Sequence, residues 1–287
     1  MEKIKKGDIV GRKSYGKDIL FIVTRIIRGN NGNDIAILKG LTIRIEADSP
    51  VSDLELVDSV IVDKNLRNLD SKLKNRIVQC PHYSKNTISS LKNVFSLNNR
   101  SEKMTYTGKI LHVDGDKKYS DKSAKHYKNL GLNAIVKNIA ENKQPYMIEN
   151  LLNRYQPDIL VLTGHDGMIK NGTDYNNIYN YRNSKYFIDS VKIARKWSYS
   201  NNKDLVIFAG ACQSYFEAIM SAGSNFASSP ARVLIDFADP LIIAEKIAIT
   251  DISKYVTISD VASELRDGTK GIGGTGAMGK KKVIFTS

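Results

Sequence analysis

The sequence predicts an α/β protein, a mostly parallel sheet flanked by helices and preceded by a small β module. From Thr107 onward, short apolar runs alternate with stretches of helical periodicity, the pattern of a parallel sheet covered on both faces. Before that, residues 1–57 carry only short β-branched runs separated by glycine. Two of the later apolar runs end in residues able to do chemistry, His165 and Cys212. Three units follow: a β module at 1–57, a helical and loop connector at 58–105, and an α/β domain at 106–287.

In the first unit, Asp8–Val10, Asp18–Thr24, Asp34–Leu38 and Thr42–Ile45 read as strands. The opening Lys-Gly-Asp-Ile-Val (6–10) resembles the first strand of SH3-like barrels, so a small SH3-like β-barrel is expected. The connector has a helical pattern from Ser59 to about Leu73, then Pro81 and a Ser/Asn-rich stretch at 84–101 suited to proteolytic cutting. The third unit begins with strand Lys109–Val113 and its exit turn Asp114-Gly115-Asp116. It continues with helix Ser120–Asn129, strand Leu132–Ile139 and helix Pro145–Tyr155, with proline in the first turn. Strand 158–163, helix Ser184–Tyr199, strand 204–209 and helix Gln213–Ala222, closed by Gly223, come next. Arg232–Phe237 reads as a further strand, and Asp239-Pro240 opens a helix to about Ala248. The tail motif Gly271-Ile272-Gly273-Gly274-Thr275-Gly276 lacks the strand-then-helix context of a nucleotide loop, so it reads as a flexible tail or substrate-facing loop.

Composition narrows the classes. Forty-one per cent apolar and 25% charged residues over 287 positions describe a globular chain with room for a large core. Two cysteines, Cys80 and Cys212, exclude a disulfide framework and read as reduced thiols. No secretory signal or membrane-length apolar run is evident, so a cytoplasmic protein is expected. The net charge of +13 comes from lysines scattered in small clusters at 3–6, 117–128 and 280–282. That scatter reads as solubility rather than nucleic-acid recognition.

Ligands of parallel sheets bind at the carboxyl ends of the strands, where Asp114, His165, Cys212 and Asp236 are all expected. A cysteine at a strand end before a helix would have its thiol pKa lowered by the helix amides. A histidine beside it holds the proton and returns it to a leaving amine, and the amides after Cys212 can face an oxyanion. This is the chemistry of peptide hydrolysis and calls for no metal or cofactor. None of His82, His112, His126 and His165 follows Cys212, which removes the α/β-hydrolase and papain-like arrangements, whose histidine comes after the nucleophile. Ser214 also stands where the hydrolase elbow needs glycine.

Ala211-Cys212-Gln213 after one strand and Gly164-His165-Asp166-Gly167 after another resemble the caspase/clostripain/gingipain clan of cysteine peptidases. The strings TGHDG (163–167), FAGACQS (208–214), AGSNFASSP (222–230) and KKGDIVGRKSYG (5–16) resemble more closely the YabG family of sporulation proteases, over nearly the whole chain. The resemblance implies a caspase-like fold for 106–287, Cys212 as nucleophile and His165 as general base and acid. It also implies spore-coat and cortex-associated protein substrates, a mother-cell location, cleavage after basic residues and self-processing. The clan takes its primary specificity acid from the exit of the first strand, here Asp114 or Asp116, with Asp236 and Asp239 as rivals. Clan members have glycine directly after the histidine. Here Asp166 intervenes, so the second oxyanion donor, beside the amide of Cys212, is the amide of Asp166 or of Gly167. Asp166 either orients His165 or is an exposed loop carboxylate. The competing function is a non-catalytic, basic coat or nucleic-acid-binding protein that uses the amino-terminal barrel.

Overall fold

A computed structural model describes residues 3–29, 32–79, 103–169 and 174–285. Cys80, His82 and the 84–101 stretch lie outside the described residues.

The amino-terminal unit is an antiparallel sheet of β1 (Ile9–Arg12), β2 (Leu20–Arg28), β3 (Asp34–Gly40), β4 (Glu46–Pro50) and β5 (Leu54–Leu56), in the order β4-β3-β2-β1-β5. Strand alternation turns Phe21, Val23, Ala36 and Leu38 inward. The expected strand Thr42–Ile45 is instead the connection between β3 and β4. Its ends are closed by Gly40 N donating to Ile45 O (2.8 Å), so the β-branched residues between them form a loop. Helix α1 (Ser59–Gln79) follows, and the Lys122–Asp70 ion pair ties it to the second unit.

The second unit is a six-stranded sheet. It begins with β7 (Ile110–Asp114), after β6 (Lys103–Tyr106), and continues with α2 (Lys117–Asn129), β8 (Ala134–Asn138), α3 (Gln144–Tyr155) and β9 (Ile159–Thr163). Helix α4 (Ser184–Ser200), β10 (Val206–Ala209), α5 (Phe216–Ser221), β11 (Phe226–Ser228) and α6 (Asp239–Ile249) complete the alternation. The expected helices and strands up to α5 appear, with ends shifted by a few residues. Arg232–Phe237 is not a strand; the fifth parallel strand is Phe226–Ser228. The glycine tail is not a flexible end. After β12 (Tyr255–Val256), β13 (Ile272–Gly274) pairs antiparallel with β11 at the sheet edge. Gly274 permits this, because a Cβ there would lie 2.3 Å from Asn225 O. Strands β14 (Ala277–Met278) and β15 (Lys282–Phe285) pair with β12 and β6 respectively.

Strand order is β8-β7-β9-β10-β11-β13, parallel except for β13. The winding direction reverses between β7 and β9, and a cleft opens at the carboxyl ends of strands on either side of such a switch. Alternate side chains feed two cores. Leu111, Leu160, Leu162 and Ile207 meet Ile148, Leu152, Phe187 and Val191 of α3 and α4. Ile159, Val161 and Phe208 belong to a cluster with Leu241 and Ile247 of α6, and the same cluster includes Val10, Phe21 and Leu38 of the amino-terminal sheet. The two units therefore share one core. Among the described residues, no helix is long and apolar enough to cross a membrane.

Because Phe21 is fully buried in the shared cluster, Phe21→Ala should destabilise the chain by about 3–5 kcal/mol. Circular dichroism and tryptophan fluorescence should report the same lowered transition, because Trp197 lies in the second unit. A fluorescence transition left unmoved would mean that the two units unfold separately.

Candidate active site

His165 and Cys212 follow β9 and β10, which pair in parallel with Leu162 opposite Ala209. The shared register brings both residues to one edge. Gly210 makes the exit turn with φ +112°, and a Cβ added there would lie only 2.4 Å from Ser228 Oγ. After Cys212 the backbone stays strained, since Gln213 adopts φ +54°, a left-handed conformation costing roughly 1–3 kcal/mol in a non-glycine residue and typical of functional sites.

Both side chains are fully buried. Cys212 Sγ lies 3.2 Å from the Ile235 amide, which donates to it, and 3.6 Å from Ile235 O. His165 Nε2 is 3.3 Å from Gly40 O, while Nδ1 has no hydrogen-bond partner among the described residues. The ring stacks on Tyr119 with centroids 5.2 Å apart. Each of the two side chains is thus engaged by backbone rather than by the other. Burial pushes the Cys212 thiol up to about 12, against the lowering by backbone hydrogen bonds. The depressed thiol expected from the following helix is not found. Helix α5 starts only at Phe216, so its amides lie beyond the sulfur's reach. Burial and then the Lys39 charge hold His165 well below its usual range. Thiol and imidazole are both neutral.

The β3–β4 connection covers these residues. Arg44 O accepts from the amides of Asp166 and Cys212, both at 3.2 Å. The Arg44 side chain is fully buried, with Nη1 2.7 Å from Asp114 Oδ2. Its guanidinium lies over Tyr119 (4.8 Å) and Phe237 (5.3 Å), a cation-binding arrangement. On either side, Ile43 bridges antiparallel to Asp236 and Ile45 bridges parallel to Asp166. Gly167 makes room, because a Cβ there would be 2.3 Å from Glu46 O.

Asp114 accepts from Thr163 Oγ1 at 2.8 Å and from Asp116 N at 2.8 Å, and Thr163 in turn meets His112 Nε2 at 2.7 Å. Burial opposes its ionisation, yet the Arg44 charge, the neighbouring His112 and the Asp116 amide hold the carboxyl far below the usual range. Asp116 caps α2 by accepting from Tyr119 N. Asp236 pairs with Lys72 at 3.7 Å, and Asp239 accepts from the amides of Asp236 and Arg266. Asp166 fits neither expectation. It is fully buried and does not bond the His165 ring. It accepts from Gly167 N, Asn183 N, Ser184 Oγ and Ser214 Oγ at 2.5–2.9 Å, which joins the histidine loop, the start of α4 and the cysteine loop. Burial pushes it up to about 6, despite those four bonds to its ionised form. Glu141, absent from the expected site, accepts from His165 N at 2.8 Å and from Lys39 Nζ at 3.3 Å. Arg44 and Glu141 carry no motif that sequence reasoning could use.

Beside Ile45 a cleft of about 440 Å³ opens between the two units, lined by Glu46, Asp48, Met168, Arg182 and Gln213 among others.

The YabG peptidase U57 family profile matches residues 5–286. This chain belongs to that family. It is 36% identical over 288 residues to the sporulation-specific protease YabG of Bacillus subtilis (strain 168), covering 96% of each chain. No solved structure matches. This YabG-family chain is therefore a sporulation protease, whose targets are proteins.

The Arg44–Asp114 pair gives a signed pH effect. A carboxyl depressed in the folded state adds stability that is complete above its unfolded pKa of about 4 and is lost as pH falls below it. In the Cys212→Ala background, Asp114→Asn should cost about 3–5 kcal/mol at pH 7 by leaving Arg44 unpaired. Urea denaturation should show this deficit shrinking towards pH 3. A deficit independent of pH would mean that the charge is not what Asp114 contributes.

Proposed function

We propose that this YabG-family protease is a cysteine endopeptidase that cuts sporulation proteins, spore-coat proteins among them, after arginine. The observation that carries this reading is the seating of Arg44. One backbone carbonyl lies against the amides of Cys212 and Asp166 while its side chain meets a buried acid walled by two aromatic rings. That is how a protease holds the residue before a scissile bond: carbonyl on the oxyanion donors, side chain in the specificity pocket.

In this reading Cys212 Sγ attacks the carbonyl carbon. Its proton passes to His165 and the oxyanion forms on the Cys212 and Asp166 amides. Gly167 is the weaker candidate for the second donor, because its amide is spent on Asp166 Oδ1 at 2.9 Å. His165 then protonates the leaving amine, a thioester remains on Cys212, and water activated by His165 hydrolyses it. The neutral pair must first rearrange. Sγ has to leave the Ile235 amide and Nε2 the Gly40 carbonyl, so the covering loop and the resting state are linked. Asp114 selects a cation, and the aromatic walls suit the planar guanidinium over the lysine ammonium. Asp116, Asp236 and Asp239 are occupied as caps or surface partners.

The strand order, with His165 after the third sheet strand and Cys212 after the fourth, supports the caspase-like reading of 106–287. The five-stranded antiparallel unit fits an SH3-like module, though here its loop enters the site. The relative's name, a sporulation-specific protease, supports action during sporulation; we assign the mother cell as its location.

Cys212→Ala and His165→Ala should each abolish cleavage of purified coat proteins, while near-ultraviolet circular dichroism stays native. Mass spectrometry of wild-type products should find arginine before the cuts. Cleavage that persists in Cys212→Ala would exclude the thiol mechanism, and cuts without preference for arginine would remove Asp114 from the pocket.

A further inference from the structure

We infer that the bond Arg44–Ile45 is itself a substrate of this site, cut within the same chain, and that until it is cut the β3–β4 loop keeps other substrates out. The inference rests on the thiol-protease reading above and names a specific bond and a consequence for regulation.

Every subsite contact expected of a bound substrate comes from this one loop. Arg44 O is held by the Cys212 amide, which places the carbonyl at the residue that bears the sulfur, and by the Asp166 amide. The Arg44 guanidinium is fully buried, with Nη1 on Asp114 Oδ2. The residue before Arg44 bridges antiparallel to Asp236, and the residue after it bridges to Asp166, where Glu46 N also donates to Asp166 O at 2.7 Å. Main chain is therefore gripped on both sides of one peptide bond, and the chain beyond it runs along the 440 Å³ cleft at Glu46–Asp48. A loop placed only for stability has no need to present a carbonyl to two converging amides beside a buried thiol and histidine. An arginine from any other protein would have to displace Arg44, whose Nη1 already occupies Asp114.

The step balances. Sγ bonds the Arg44 carbonyl carbon, and the thiol proton travels through His165 to Ile45 N. The Arg44–Ile45 C–N bond breaks, and Ile45 leaves as a new amino terminus. Water then cleaves the thioester, giving an Arg44 carboxylate and regenerating the thiol. That carboxylate replaces a neutral carbonyl at the Cys212 and Asp166 amides, and with the Arg44–Ile45 bond gone the loop is no longer held from both sides over the site. The pairing of β4 with β3, from Lys39–Glu46 to Ile35–Pro50, keeps the two pieces associated while the pocket opens.

The test compares wild type, Cys212→Ala, Arg44→Gln and Ile45→Pro, all full-length. Arg44→Gln leaves Asp114 unpaired and is at risk of misfolding, whereas Ile45→Pro keeps the ion pair and places proline after the carbonyl. Intact mass and amino-terminal sequencing should find Ile45 as a new terminus in wild type only, at a rate independent of protein concentration. Ile45→Pro should stay whole and hydrolyse a chromogenic arginine peptide far more slowly than cut wild type. A wild type that hydrolyses the peptide while Arg44–Ile45 stays intact would overturn this inference and leave the proposed function standing. So would a cut at Ile45 whose rate rises with concentration, which is cleavage between molecules. A wild type inert to both the peptide and its own chain would overturn both.

Discussion

The buried ion pair between Arg44 and Asp114 is the constraint on which the site depends. Both side chains are without solvent exposure, so each charge would be costly alone and the attraction is weakly screened. Asp114 is anchored from behind by Thr163, His112 and the Asp116 amide. Arg44 arrives from the amino-terminal unit, 70 residues earlier. The pair therefore draws the β3–β4 loop over the edge of the parallel sheet and sets the Arg44 carbonyl between two amides.

The topology makes that meeting possible. Asp114 ends β7 and Thr163 ends β9, the two strands at the winding reversal, and they are register partners. His165 follows the end of β9, and Cys212 follows the end of its parallel neighbour β10. Two buried acids then fix the loops. Asp166 ties the histidine loop to Ser184 and Ser214, and Glu141 holds the His165 amide. The site is closed, with a raised thiol and a depressed imidazole that each meet backbone rather than one another.

Much of this was legible in the sequence. The apolar runs at 159–163 and 206–209 are buried from end to end, which marks central parallel strands. His165 and Cys212 stood out because small residues break those runs just before them. Asp114 was legible as a strand-end acid, although only packing separates it from Asp116, which caps a helix. What stayed hidden follows from tertiary packing overriding local preference. Thr42–Ile45 has β-branched alternation, yet it is a loop, because its arginine lies against an acid far along the chain. Arg232–Phe237 has strand propensity, but the sheet edge beside β11 is taken by Ile272–Gly274, whose glycines allow closer backbone approach. The thiol shift ran opposite to expectation because burial, invisible in a motif, outweighs a helix that begins only at Phe216.

A double-mutant cycle measures the central interaction most directly. In the Cys212→Ala background, unfolding free energies would be obtained at pH 7 for the parent, Arg44→Met, Asp114→Asn and the double variant. Close, desolvated charge pairs couple by about 1.5–7 kcal/mol, and a coupling in that range is the predicted result. Additive effects, with coupling within about 0.5 kcal/mol of zero, would mean that Arg44 does not occupy the Asp114 pocket, and would contradict the account.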